Sequence, residues 1–101
     1  MKKLLLLLLT LFFFIGSINA QSAKDSKART YFNGGNAKSV EKDYYGAIAD
    51  YTEAIKLIPN YGDAYFNRGV AKEYLKDYNG AILDYTEAIK LIPNYGDAYF
   101  N

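Results

Sequence analysis

From residue 28 onward the apolar residues recur at steps of three and four, the spacing of one helical face rather than of strands. One stretch places Tyr65, Phe66, Gly69, Val70 and Tyr74 on such a face; the next places Tyr78, Ala81, Ile82, Tyr85, Ala88, Ile89 and Ile92 there. Asp43, Asp63 and Asp77 stand where N-caps are expected, with carboxylates able to accept from orphan backbone N–H groups. Pro59–Asn60 and Pro93–Asn94 are stop signals, because proline cannot donate a backbone bond and pushes the residue before it out of helical angles. The pattern predicts helices over 28–40, 44–57, 62–75 and 78–91, with the sequence ending inside a fifth. Gly34 and Gly35 weaken the first of these, each costing about 0.8–1 kcal/mol relative to alanine, so it is expected to fray.

Shifting the sequence by 34 positions aligns Asp50–Asn67 (DYTEAIKLIPNYGDAYFN) with Asp84–Asn101, identical at all 18 residues. Over the whole unit, 28–61 against 62–95, 24 of 34 positions match. A period of this length is the mark of a solenoid built from one repeated supersecondary unit.

The unit resembles the tetratricopeptide repeat. Tyr31 and Tyr65 fall on the large residue early in helix A, and Gly35 and Gly69 on the small position. Ala47, Tyr51, Ala54 and Pro59 fill the small, aromatic, small and proline positions of helix B, as do Ala81, Tyr85, Ala88 and Pro93. Lys38 and Lys72 depart from the family's usual tyrosine, and a lysine stem can cover apolar surface while its head stays wet. The resemblance implies an all-α fold, an α-solenoid of antiparallel helix pairs, with repeats at 28–61 and 62–95 and the start of a truncated third at 96–101. The small residues permit close helix approach, while Tyr65, Tyr85, Ile82 and Ile89 are the expected knobs, each worth roughly 1.5–3 kcal/mol when fully buried. Two units and a fraction leave Ala88 and Ile89 on an open side, so the sequence reads as a fragment of a longer exported chain, the alternative being that a partner covers that edge.

Residues 1–20 follow a different logic. Lys2 and Lys3 precede an apolar run from Leu4 to Ile15 and a small residue at Ala20, the layout of a secretory signal. Twelve residues rise only about 18 Å as a helix against a hydrocarbon core of roughly 30 Å, so cleavage after Ala20 is preferred to a membrane span. Residues 21–27 then form a short linker, and the destination is periplasm, outer membrane or medium. Contact with a membrane is expected only through this segment, if it is left uncleaved.

Composition narrows the chemistry. The 101 residues contain no Cys and no His, which removes thiolate nucleophiles, disulfides, Ser–His and Cys–His machinery and ordinary zinc sites. The formal charge is +1, and losing Lys2 and Lys3 leaves 10 basic against 11 acidic residues, interleaved without a basic stripe, so nucleic acid is not an expected partner. Asp50, Glu53, Asp84 and Glu87 recur with the unit and read as a solvated face or as i,i+3 partners of Lys56 and Lys90 rather than as a catalytic pair. No enzyme activity, cofactor or metal is expected.

What remains is binding. In the resembled family the A helices line a concave groove for a peptide or partner helix. Carried over residue by residue, that groove comprises Phe32, Asn33, Asn36 and Val40 from the first unit, with Phe66, Asn67, Val70, Glu73 and Tyr74 from the second. Asn33, Asn67 and Asn101 recur at one position, and an amide with both donor and acceptor suits a peptide backbone. Phe32 and Phe66 stand where relatives that grip a C-terminal carboxylate carry lysine, which implies an apolar or aromatic-lined groove. The expected role is thus an exported scaffold with a protein or peptide partner; the alternative is the N-terminal recognition arm of a larger enzyme, sensor or transport component.

Overall fold

A computed structural model describes the backbone of residues 2–92 and the side chains of residues 18–92. It holds four helices in a row: α1 (Lys2–Val40), α2 (Tyr44–Leu57), α3 (Gly62–Tyr74) and α4 (Tyr78–Leu91). Each packs against its neighbour in sequence, and α1 also touches α3, giving two stacked helix pairs, α1/α2 and α3/α4. Among the described residues there is no strand, and no helix is long and apolar enough to cross a membrane. The start of the third unit, with Asn101, lies outside the described residues.

The three later helices keep within one residue of the expected bounds. The first differs: α1 runs unbroken through 21–27, the segment expected as a linker, because nothing there stops a helix once Gln21 bonds Asp25 at 3.0 Å and Thr30 bonds the Ser26 carbonyl at 3.0 Å. Gly34 and Gly35 do not interrupt it. At Gly35 a Cβ would lie 2.6 Å from the Tyr51 ring, so the missing side chain is what lets α2 press its buried tyrosine against α1.

Both A-to-B turns use one device. Asp43 N–H donates to the Lys38 carbonyl at 2.8 Å and Lys42 N–H to Ser39 at 3.0 Å, which places Lys42 in the left-handed region at φ 64°. Lys76 repeats this at φ 66°, with Asp77 N–H bonded to Lys72 and Lys76 N–H to Glu73. These closures satisfy the last carbonyls of each helix A. Asp43 and Asp77 then cap α2 and α4, each accepting from the glycine three residues on at 3.0 Å. Asp63 is not an N-cap: α3 begins a residue earlier, after Tyr61, and Asp63 sits inside the first turn, where its charge still favours the helix dipole.

The core is made of small residues around one large ring. Ala28, Ala47, Ala54, Ala64 and Ala88 are fully buried and Tyr51 is 1% exposed. Ala88 is therefore not on an open side, contrary to expectation, since the close approach of α3 and α4 covers it. Ile82 and Ile89, expected as knobs, are 61% and 51% exposed because they face outward from the last helix pair.

Candidate functional site

The A helices α1 and α3 lie beside each other, and their contact centres on a polar cluster. The Tyr51 hydroxyl, reaching up from α2, donates to Asn36 Oδ1 at 2.6 Å, and Asn67 Nδ2 donates to the same oxygen at 2.9 Å. Ser39 Oγ lies 3.4 Å from the hydroxyl. Burial pushes the Tyr51 phenol above its ordinary range, with the neighbouring Ser39 and Asn67 side chains opposing. Two donors converging on one oxygen fix the Asn36 amide at the α1/α3 boundary.

The other expected groove residues divide. Phe32 stacks on Tyr61 with centroids 5.0 Å apart and tilts against Tyr51 at 5.9 Å; Phe66 tilts against Tyr85 at 5.5 Å. Both rings are half-buried and committed to packing at least in part. Val70 is half-buried, Asn33 and Glu73 are exposed, and Val40 is 85% exposed at the end of α1. Tyr74 is 64% exposed yet lies flat on Tyr44, centroids 4.7 Å apart and planes 2° apart, which makes a two-ring ledge at the C-terminal end of α3. The structure thus joins Asn36, Asn67 and Phe32 through Tyr51, and leaves Asn33 outside that cluster.

A second cluster was not foreseen. Asp84 is 3% exposed, not part of a solvated face. Arg68 grips it with two bonds, Nε to Oδ2 at 2.8 Å and Nη2 to Oδ1 at 2.7 Å, and Lys72 adds a third contact at 3.0 Å. Arg68 Nη1 also reaches Thr52 Oγ1 of α2 at 3.2 Å, and its guanidinium lies 5.3 Å from the Tyr65 ring centre. The bonds to Asp84 hold the guanidinium still further above its ordinary range, against desolvation. In the first unit Gly34 occupies the equivalent place and Asp50 has only Lys38, at 2.9 Å; that bond raises the Lys38 ammonium above its usual value. The signal for this cluster was a mismatch between repeats, Gly34 against Arg68, beside a carboxylate common to both. Glu53–Lys56 and Glu87–Lys90 form the expected i,i+3 pairs at 3.1 and 3.2 Å.

Among the described residues no group of His, Cys, Asp or Glu could hold a metal ion, and no fully buried side-chain polar atom lacks a partner.

Comparison with known proteins identifies the repeated unit. Two family models described as tetratricopeptide repeat match, one over residues 28–61 and one over 62–95. No curated protein matches by sequence. Among solved structures, the Arabidopsis OM64 TPR domain is similar at 30% identity and a TM-score of 0.71, over 75% of this chain and 63% of that one. The structure titled as the TPR2B-domain:pHsp70-complex of yeast Sti1 is similar at 34% identity and a TM-score of 0.69, over 73% and 59%. The chain therefore spans about three-fifths of the length of these neighbours.

Proposed function

Since this chain belongs to the tetratricopeptide repeat family, a family of protein-interaction modules, we propose that it is an exported, non-catalytic scaffold that holds an extended peptide or partner helix across α1 and α3. The observation that carries this is the Asn36–Asn67 pair. The two amides span two helices and are bonded to each other beside the Tyr51 hydroxyl, and an amide carries both a donor and an acceptor, which suits a peptide group irrespective of its side chains. The likeness to a TPR domain solved in complex with pHsp70 supports a peptide or protein as the ligand class. The absence of lysine at Phe32 and Phe66 favours an internal peptide segment over a terminal carboxylate. Export rests on the Lys2–Ala20 pattern.

Selection of a random peptide library on the protein, followed by titration of the recovered peptides, tests the groove. Asn67→Ala is expected to weaken binding about tenfold, the size of a lost hydrogen bond in a desolvated site, while the helical spectrum is retained. Recovered peptides that bind the variant as tightly as the parent overturn the reading. Mass spectrometry of the protein from the cell envelope and medium tests export: an N-terminus at Gln21 is expected, and an intact Met1 in a cytosolic fraction overturns it.

A further inference from the structure

Several of the positions at which the two units differ gather around one stack of rings. Helix A of the first unit ends on Ser39 and Val40, that of the second on Glu73 and Tyr74. α2 and α4 differ at only two of 14 positions, and one of them puts Tyr45 where α4 has Asn79. Tyr74 lies flat on Tyr44, which covers one face of its ring, yet it is 64% exposed, so the face turned from Tyr44 is open. Tyr45, next to Tyr44, is 77% exposed. The openness is a property of this place in the repeat. Val40, the counterpart of Tyr74, is 85% exposed although the second helix pair is stacked beside it.

The charge around the stack has one sign in excess. The ends of α1 and α3 and the turns that follow them carry Glu41, Asp43, Glu73 and Asp77 against Lys42 and Lys76, all exposed. Lys38 and Lys72 are held by Asp50 and Asp84. The face of a phenol ring is itself negative, so ring and rim favour the same ligand, a cation. The chain already uses this contact once, with the Arg68 guanidinium 5.3 Å from the Tyr65 ring centre.

We propose that the open face of Tyr74, backed by Tyr44 and rimmed by Glu73, takes a lysine or arginine side chain of the bound peptide. This rests on the groove reading above and adds to it the class of ligand and its register. Asn67, Val70 and Tyr74 stand at i, i+3 and i+7, on one face of α3, and the two turns between amide and ring rise about 10.5 Å. An extended chain covers that rise in about three residues, at roughly 3.3 Å each. The cation therefore belongs about three residues from the peptide group held at Asn36–Asn67.

The probe is a random peptide library selected on the full chain. Recovered peptides are titrated by calorimetry beside copies in which norleucine replaces lysine or citrulline replaces arginine, which removes the charge and keeps the length. Enrichment of lysine or arginine at one position is expected, and its neutral copy should bind about fivefold more weakly, the worth of an exposed cation–π contact. Tyr74→Leu should cost the cationic peptide the same factor and leave the neutral copy unchanged, while Tyr74→Phe, which keeps the ring face, should bind both as the parent does. Glu73→Gln leaves the stack intact and should weaken the cationic peptide alone, by about twofold. Peptides that lose affinity in Asn67→Ala but carry no preferred cation overturn the Tyr74 site and leave the groove standing. So does an equal effect of Tyr74→Leu or Glu73→Gln on the cationic and neutral peptides. Recovery of no peptide overturns both readings.

Discussion

Replacing Asp84 by asparagine keeps the side-chain volume and removes one charge. Three short contacts converge on that carboxylate, and its partners Arg68 and Lys72 are themselves only 16% and 21% exposed. Asparagine can still accept one bond, but two cations are left without a counter-ion in a place water barely reaches. Removing one partner of a buried pair costs about 3–5 kcal/mol, and the retained acceptor brings this to about 2–4 kcal/mol. For a domain of this size each kcal/mol moves the melting temperature by roughly 4–8 °C, so a fall of about 10–25 °C is expected. The repeat supplies its own control. Asp50→Asn deletes the same side chain from the first unit, where one exposed lysine is its partner, and its effect should be smaller by at least about twofold. Thermal melts followed by far-ultraviolet circular dichroism give both numbers. Equal shifts for the two variants, or a fall of under about 5 °C for Asp84→Asn, would refute the assignment of the ion cluster as a buried, mutually dependent unit.

Lys76→Gly relieves a left-handed residue at φ 66° and should raise stability by about 0.5–1 kcal/mol after allowing for the greater freedom of unfolded glycine; unchanged urea midpoints would contradict it. Ala88→Leu overpacks a fully buried site and is expected to cost about 1–3 kcal/mol, read from the same urea titration. Tyr51 and Tyr61 are both pushed above 10.0, chiefly by burial. The fold therefore favours the protonated phenols: their contribution is complete below the unfolded value and is lost as pH rises through the raised folded one. Melting temperature should fall as the pH is raised past about 10, and less steeply in Tyr61→Phe; parallel profiles would remove Tyr61 from the account.

Helix placement was legible because its determinants are local. Asp43 and Asp77 sit at fixed distances from Gly46 and Gly80, and Pro59 ends α2 whatever surrounds it. The length of α1 was not, since apolar periodicity marks where a helix packs, not where it stops. Burial of Asp84 was hidden for another reason. A carboxylate present once per repeat looks solvated, and what inverts its environment is a single residue 16 positions earlier in sequence, Arg68. Phe32 and Phe66 read correctly as large apolar side chains, but their neighbours Tyr61 and Tyr85 come from a turn and another helix, which spacing within one helix cannot show. Asn36 and Asn67 were legible as amides and not as a pair, because their contact spans the repeat boundary.

The near-identity of α2 and α4 also bears on how the chain finds its own topology. Two interchangeable B helices offer two nearly degenerate hairpin registers, with α1 free to close on either and a swapped assembly close in energy. Arg68 does not break that degeneracy, since Asp84 facing Gly34 with one lysine would only take the place Asp50 now has, and Arg68 would grip Asp50 instead. The three-residue turns at 41–43 and 75–77 do, by holding each helix A to the B helix that follows it, a local closure of the kind repetitive sequences need against domain swapping.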